Sequence, residues 1–174
     1  YLIKAVRHYR TKVKSFSDYK VKLEKAHVIL DASERRALIK AEATKLVKKE
    51  KLRLKNDPGL LHEVAGLVEW PVVYMGSIDE AFMSLPDEVL STTMRKHQKY
   101  FSVLDTRGNL AAHFIVVANT KASDAGRVMV AGNERVLRAR LADAKFFWDQ
   151  DLKEPLSGRV HALGGRIFHA KLGT

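Results

Sequence analysis

The sequence predicts an α+β fold in which an N-terminal helical hairpin precedes a small mixed sheet packed with helices. Three observations predict this fold: two basic segments with apolar residues at helical spacing, several short β-branched or aromatic runs, and one long amphipathic helix. These segments cover 15–31, 32–54, 71–76, 99–104, 110–118 and 134–149. We divide the chain into a basic helical arm (1–55), an α+β core (56–156) and a tail (157–174) that leads to a missing downstream domain.

Two helices are predicted in the arm. Ser17 is the predicted N-cap of the first, because Asp18 follows in the first turn. The second helix has few apolar positions between its many cations, which gives it a narrow apolar stripe. We therefore expect it to pair with the first helix as an antiparallel hairpin or to stand off the globule. Its apolar positions are Leu38, Ala41, Leu46 and Leu52.

The core begins with a short helix over 60–68, for which Pro58 suits the first turn. The apolar run 71–76, bounded by proline and glycine, predicts a buried strand. A helix opens at 85–88, and the loop 105–109 joins two strands as a β-hairpin.

The last long helix is predicted to start at Gly132 and Asn133. Its core stripe comprises Leu137, Leu141, Ala144 and Trp148, with arginines on a separate stripe. Two pairs at i,i+4 and i,i+3 spacing are expected on its surface. They are Glu134–Arg138 and Arg140–Asp143.

Charge is concentrated at the start of the chain. The formal net charge is +11, and residues 1–55 carry 17 Lys and Arg against 6 Asp and Glu, so the remainder sums to zero. A basic balance indicates partners rather than fold, so the arm is either a binding surface or a solvated one.

Several classes of chemistry are excluded. The chain has no cysteine, which excludes disulfides, thiolate nucleophiles and Cys-ligated metal sites and fits a reducing cytosol. Its seven histidines lack metal-ligand spacing, and no glycine-rich phosphate loop is present, so we predict no metal and no catalytic residue. No apolar run approaches the ~20 residues that span a membrane. Because the chain starts at Tyr1 and stops at Thr174 without a terminal element, we expect an excised piece of a longer protein.

Two segments suit RNA binding. In 92–101, cations that neutralise phosphates lie beside an amide and two aromatic residues. In 132–148 the helix uses arginine three times without lysine between 134 and 144, which favours bidentate contacts. The candidate contacts are Arg95, Lys96, Gln98, Lys99, Tyr100, Arg135, Arg138 and Arg140. The alternatives are that Tyr100 and Phe101 pack in the core and that the helix is an ordinary amphipathic one.

Four stretches carry a family resemblance: GLLHEVAGLVEWPV (59–72), TMRKHQKYF (93–101), FIVVAN (114–119) and GNERVLRARLADA (132–144). In this order and spacing they closely resemble the beta subunit of bacterial glycyl-tRNA synthetase. The resemblance covers at least 59–156, and the closing residues 171–174 fit the same family, whereas 1–55 resemble it only loosely.

The resemblance implies a cytoplasmic class II synthetase of α2β2 composition, with tRNA(Gly) as substrate and no membrane contact. In that family the alpha subunit holds glycine and ATP with Mg, so no cofactor is expected on this segment. The beta subunit supplies tRNA recognition, and helical HD-type and anticodon-binding domains would follow Thr174. The segment is thus an internal, noncatalytic piece that supports tRNA positioning and subunit assembly. A purely structural scaffold and a free-standing RNA-binding module are the alternatives.

Overall fold

The computed structural model describes residues 12–153 and 155–167, and within them it has six α-helices and a four-stranded sheet. This confirms the α+β class. The elements are α1 (Phe16–Lys25), α2 (Ala32–Lys49), β1 (Arg53–Leu54), α3 (Pro58–Leu67), β2 (Val72–Ser77), α4 (Asp87–Thr92), β3 (Phe101–Leu104), β4 (Leu110–Ala118), α5 (Arg127–Asp151) and α6 (Val160–Leu163). A π-helical turn, Thr93–Gln98, continues α4.

The sheet has the strand order β1-β3-β4-β2, and every neighbouring pair is antiparallel. The sheet is therefore antiparallel, whereas the sequence predicts a mixed one. The predicted hairpin joins β3 to β4, and Asp105 closes its loop by accepting from the backbone N–H groups of Arg107 and Asn109. β2 forms one edge, in register from Val72 opposite Ala118 to Ser77 opposite His113. It is therefore a half-buried edge strand, not a fully buried one.

Helices cover both faces of the sheet, because successive side chains of β4 point to opposite faces. Leu110, Phe114 and Val116 pack with Leu137 and Leu141 of α5 in one core. Ile115 packs in a second core with α2 and α3. The sequence predicts the first of these two layers and misses the second.

The second layer contains α2, which neither stands off the globule nor pairs along its length with α1. Its buried side chains are Ile39, Ala43 and Val47, spaced four residues apart, and they face the sheet. This narrow apolar stripe is enough to pack α2 on the sheet, because the small side chain of Ala43 at its centre is fully buried. α1 has no buried residue within the described part of the chain and meets α2 through a 2.5 Å ion pair between Lys20 and Glu34.

Helix and strand boundaries differ from the predictions at several places. The first helix ends at Lys25, several residues before the predicted end near Asp31. The N-cap of α1 is Ser15 rather than Ser17, and its hydroxyl accepts from the Asp18 N–H. The second helix ends at Lys49, so that β1 occupies residues inside the predicted helix. α5 begins at Arg127, not at residue 134, because the Asp124 carboxylate accepts the N–H groups of Gly126 and Val128 and starts the helix sooner.

Two glycines allow close packing. A Cβ on Gly76 would lie 2.4 Å from the Phe114 ring, and a Cβ on Gly126 would lie 2.3 Å from the Tyr74 ring. Gly126 also has a positive φ of 83°. By contrast, a Cβ on Gly132 in the middle of α5 would meet nothing within 4 Å.

We predict opposite effects on stability for two glycine-to-alanine substitutions. Gly76→Ala forces the Phe114 ring out of its packed position, which costs about 1–3 kcal/mol of unfolding free energy. Gly132→Ala removes backbone freedom from an unobstructed helix position and adds about 0.5–1 kcal/mol. Urea denaturation of the two variants and the parent chain measures both values, and a destabilised Gly132→Ala would show that this glycine has a packing role.

Candidate nucleic-acid interface

The first candidate segment lies where α4 passes through the π-helical turn into β3. Thr93 and Met94 are buried, which directs Arg95 and Lys96 toward the surface. Lys99 ends the turn in the left-handed conformation with φ 59°. This backbone reversal lets the Tyr100 N–H donate to the Met94 carbonyl at 3.1 Å.

Tyr100 is a core residue. Its side chain is 3% exposed, its ring stacks on Phe114 with centroids 4.6 Å apart, and its hydroxyl donates to Asn133 Oδ1 at 2.8 Å. Burial raises the pKa of Tyr100 to about 12. A base therefore has no access to this ring. Phe101, also 3% exposed, is a residue of the second core. The alternative that both aromatic residues pack in the core is the correct one.

Two cations of this turn bind carboxylates at the start of α3 and within it. Arg95 Nε donates to Asp57 Oδ2 at 2.7 Å, and Lys99 Nζ lies 2.7 Å from Glu63 Oε1. Asp57 is also the N-cap of α3, since its other oxygen accepts the Leu60 N–H at 2.8 Å. Desolvation raises the pKa of Asp57, but the hydrogen bonds from Arg95 and Leu60 outweigh it and leave the pKa below its usual value.

One of the candidate arginines of α5 is also held by a carboxylate. Arg138 pairs with Asp79, beyond the end of β2, while Glu134 accepts the Ser77 N–H at 2.8 Å. The predicted Glu134–Arg138 pair is therefore replaced by two contacts that fasten α5 to the β2 end. Among the described residues, Arg140 and Asp143 form no ion pair with each other either, contrary to the prediction.

Three candidate cations keep their charge available at the surface. Lys96, Arg135 and Arg140 are exposed and form no ion pair within residues 12–153 and 155–167. Gln98, two residues after Lys96, is half-buried. The Tyr100–Asn133 hydrogen bond joins the turn to α5, so the two candidate segments adjoin. At 100° per residue, however, Arg135 and Arg140 lie about 140° apart around the helix.

One arginine of the basic arm, Arg35, joins α2 to α3. Arg35 of α2 donates from Nε to the Ala65 carbonyl at 2.8 Å and from a terminal nitrogen to the Ile29 carbonyl at 2.6 Å. It therefore ties α2 to the end of α3. The lysines at 40, 48 and 49 of the same helix are exposed.

The described residues contain no group of three or more His, Asp or Glu side chains placed to hold a metal. His8 and His169 lie outside the described residues. No helix in the described part of the chain is long and apolar enough to cross a membrane.

Comparison with known proteins gives one consistent result. The sequence profile of the glycyl-tRNA synthetase beta subunit family matches residues 2–174. The glycine–tRNA ligase beta subunit of Rhodospirillum centenum is 62% identical over 162 residues, 93% of this chain and 23% of the relative. Those of Ruegeria sp. and Rickettsia felis are 51% and 44% identical over 95% of this chain and 25% of each relative. The chain spans about a quarter of the length of these relatives.

We predict that Asp57→Ala lowers the unfolding free energy by about 1–2 kcal/mol at neutral pH, since it removes the cap of α3 and the partner of Arg95. Because the pKa of Asp57 is depressed in the folded state, its contribution is complete above the usual value of 3.8. The difference between the variant and the parent chain therefore narrows as the pH falls below that value.

Denaturation curves at several pH values measure this difference. Asp87→Ala is the matched control, because Asp87 is an exposed residue in the first turn of α4 without a cap hydrogen bond. It should change stability by less than about 0.5 kcal/mol. Equal losses of unfolding free energy in the two variants would contradict the role of Asp57 as cap of α3 and partner of Arg95.

Proposed function

The chain belongs to the glycyl-tRNA synthetase beta subunit family, and from that premise we propose that it serves glycine–tRNA ligase, which joins glycine to tRNA with ATP. Its role there is noncatalytic: it supports tRNA positioning and subunit assembly. The partners are tRNA(Gly) and the alpha subunit in an α2β2 tetramer of the cytoplasm. ATP with Mg binds the alpha subunit, and this segment binds no cofactor.

The main support for the proposal is that some of the candidate cations form ion pairs and the others do not. Among the described residues, Arg95, Lys99 and Arg138 are held by carboxylates, whereas the other three, Lys96, Arg135 and Arg140, are exposed and form no ion pair. A paired cation has its field largely neutralised, so it contributes little to binding a phosphate. We therefore assign the RNA contacts to the unpaired set.

Exposed apolar side chains between residues 146 and 167 support the assembly part of the proposal. Phe146 and Phe147 are 58% and 64% exposed and contact each other edge-on, with centroids 5.5 Å apart. Leu152, Leu156 and Ile167, which follow, are at least 69% exposed. Two exposed phenylalanines in contact, followed in sequence by further exposed large apolar side chains, are typical of segments that further protein covers.

A structural scaffold is the second candidate function. The three ion pairs favour it, because each joins elements that are distant in sequence: Arg95 to Asp57, Lys99 to Glu63 and Arg138 to Asp79. Under this alternative the segment holds the subunit together and makes no contact with tRNA.

We predict that two triple variants with the same change in charge behave differently in the full-length assembled enzyme. Lys96→Ala with Arg135→Ala and Arg140→Ala raises the KM for tRNA about tenfold or more. It also reduces the slope of log affinity against log salt by about 1 for each phosphate that is no longer neutralised. Its melting temperature stays near that of the parent enzyme.

The control triple replaces the paired set, Arg95, Lys99 and Arg138, with alanine. It should lower the melting temperature and leave the salt dependence of tRNA binding close to that of the parent enzyme. Aminoacylation kinetics, tRNA binding at two salt concentrations and thermal denaturation give the readouts. If the unpaired triple leaves KM and the salt slope unchanged, the scaffold alternative is correct.

A further inference from the structure

A cavity of about 280 Å³ lies between α2, β1 and the start of α3. Its apolar lining consists of Leu54 and Leu61, which are half-buried, and of Ile39, Ala43 and Phe101, which are at most 3% exposed. Its volume is near the lower end of small-molecule pockets, about 300–1,000 Å³, which suits one flat ring system rather than an extended ligand.

The polar part of the cavity lies at its exposed rim. Lys40, Lys55 and Asn56 are exposed there, and Thr44 is half-buried. Within the described part of the chain the Asn56 side-chain amide has no hydrogen-bond partner, so both its donor and its acceptor are available. The Lys55 ammonium lies 3.4 Å from Ser91 Oγ, and it helps to lower the pKa of the nearby Asp57 carboxyl without forming an ion pair with it.

The cavity connects the two basic regions of the sequence. Lys40 belongs to the basic first third, and a smaller hollow of about 50 Å³ that shares Lys55 and Asp57 with the cavity is lined by Arg95. Arg95 is neutralised by Asp57, whereas Lys40 and Lys55 form no ion pair among the described residues. The positive charge is therefore concentrated at the rim.

From these observations we propose that the cavity receives one unstacked base of the RNA, with Lys40 and Lys55 holding the phosphates on either side. This rests on the proposed function. In this arrangement the apolar walls take the flat faces of the base, the Asn56 amide hydrogen-bonds its polar edge, and the ammonium groups neutralise the flanking phosphates. Stacking, base-edge hydrogen bonds and phosphate contacts are the interactions by which proteins bind single-stranded RNA. A protein partner explains the apolar walls but not the two unpaired lysines at the rim.

The test fills the cavity in the full-length assembled enzyme and measures the Kd for tRNA. Thr44→Trp places a large ring at the half-buried rim position and should raise the Kd at least about fivefold, the effect of excluding one bound base. Ala41→Trp is the matched control, since Ala41 is exposed on the same helix and does not line the cavity. It should change the Kd less than about twofold.

A second pair of variants separates position from overall charge. Lys40→Ala with Lys55→Ala and Lys48→Ala with Lys49→Ala remove the same charge, but only the first pair lines the cavity. The first pair should weaken tRNA binding at least about fivefold more than the second. This comparison also decides the case if Thr44→Trp fails to fold, as thermal denaturation would show.

Unchanged tRNA affinity for Thr44→Trp, or equal losses for the two lysine pairs, overturns the proposal. Dissociation of the alpha subunit by Thr44→Trp, with tRNA affinity unchanged, overturns it in favour of a protein contact. The triple variant of Lys96, Arg135 and Arg140 is measured in the same assay. A loss of affinity in that variant alone leaves the proposed function intact while the base pocket fails.

Discussion

The fold depends on burial of β4 on both faces. Phe114 and Ile115 are adjacent in sequence and fully buried, yet they belong to different cores because neighbouring side chains of a strand point in opposite directions. A strand that presents apolar groups on both sides needs a helical layer on each side. α5 and the segment 78–94 supply one layer, and α2 with α3 supplies the other.

The ion pairs connect these two layers around the sheet. Met94 belongs to the first core, and the next residue, Arg95, reaches Asp57 at the start of α3, whose Leu60 belongs to the second core. Lys99 makes a second connection to α3 through Glu63. Exposed ion pairs are individually worth little, but here one of the carboxylates is also the helix cap, so a single side chain fixes the start of α3 and the turn opposite it.

The sequence predicts the α+β class, the hairpin of β3 and β4, and the packing of Leu137 and Leu141, because each depends on local periodicity or turn chemistry. The position of α2 is not predicted, since its buried stripe of Ile39, Ala43 and Val47 is recognisable only opposite a sheet that accommodates an alanine. Likewise, the partners of Arg95 and Arg138 are 38 and 59 residues away, beyond the reach of any i,i+4 rule. The division of the chain at residue 56 stays a prediction.

The family motifs can be compared with the positions of their residues in the two cores. The stretch 59–72 contributes Leu60, Val64 and Ala65 to the second core, and 93–101 contributes Met94 and Tyr100 to the first. The motifs that identify the family therefore consist largely of residues that pack in the two cores on either side of the sheet and of the ion pairs beside them. Because most of these packing residues are buried, the proposed contacts with RNA phosphates fall to the exposed cations between them and on α2. The basic first third of the chain is then relevant to the proposed RNA binding through Lys40 and Lys55, where it borders the core that the motifs build.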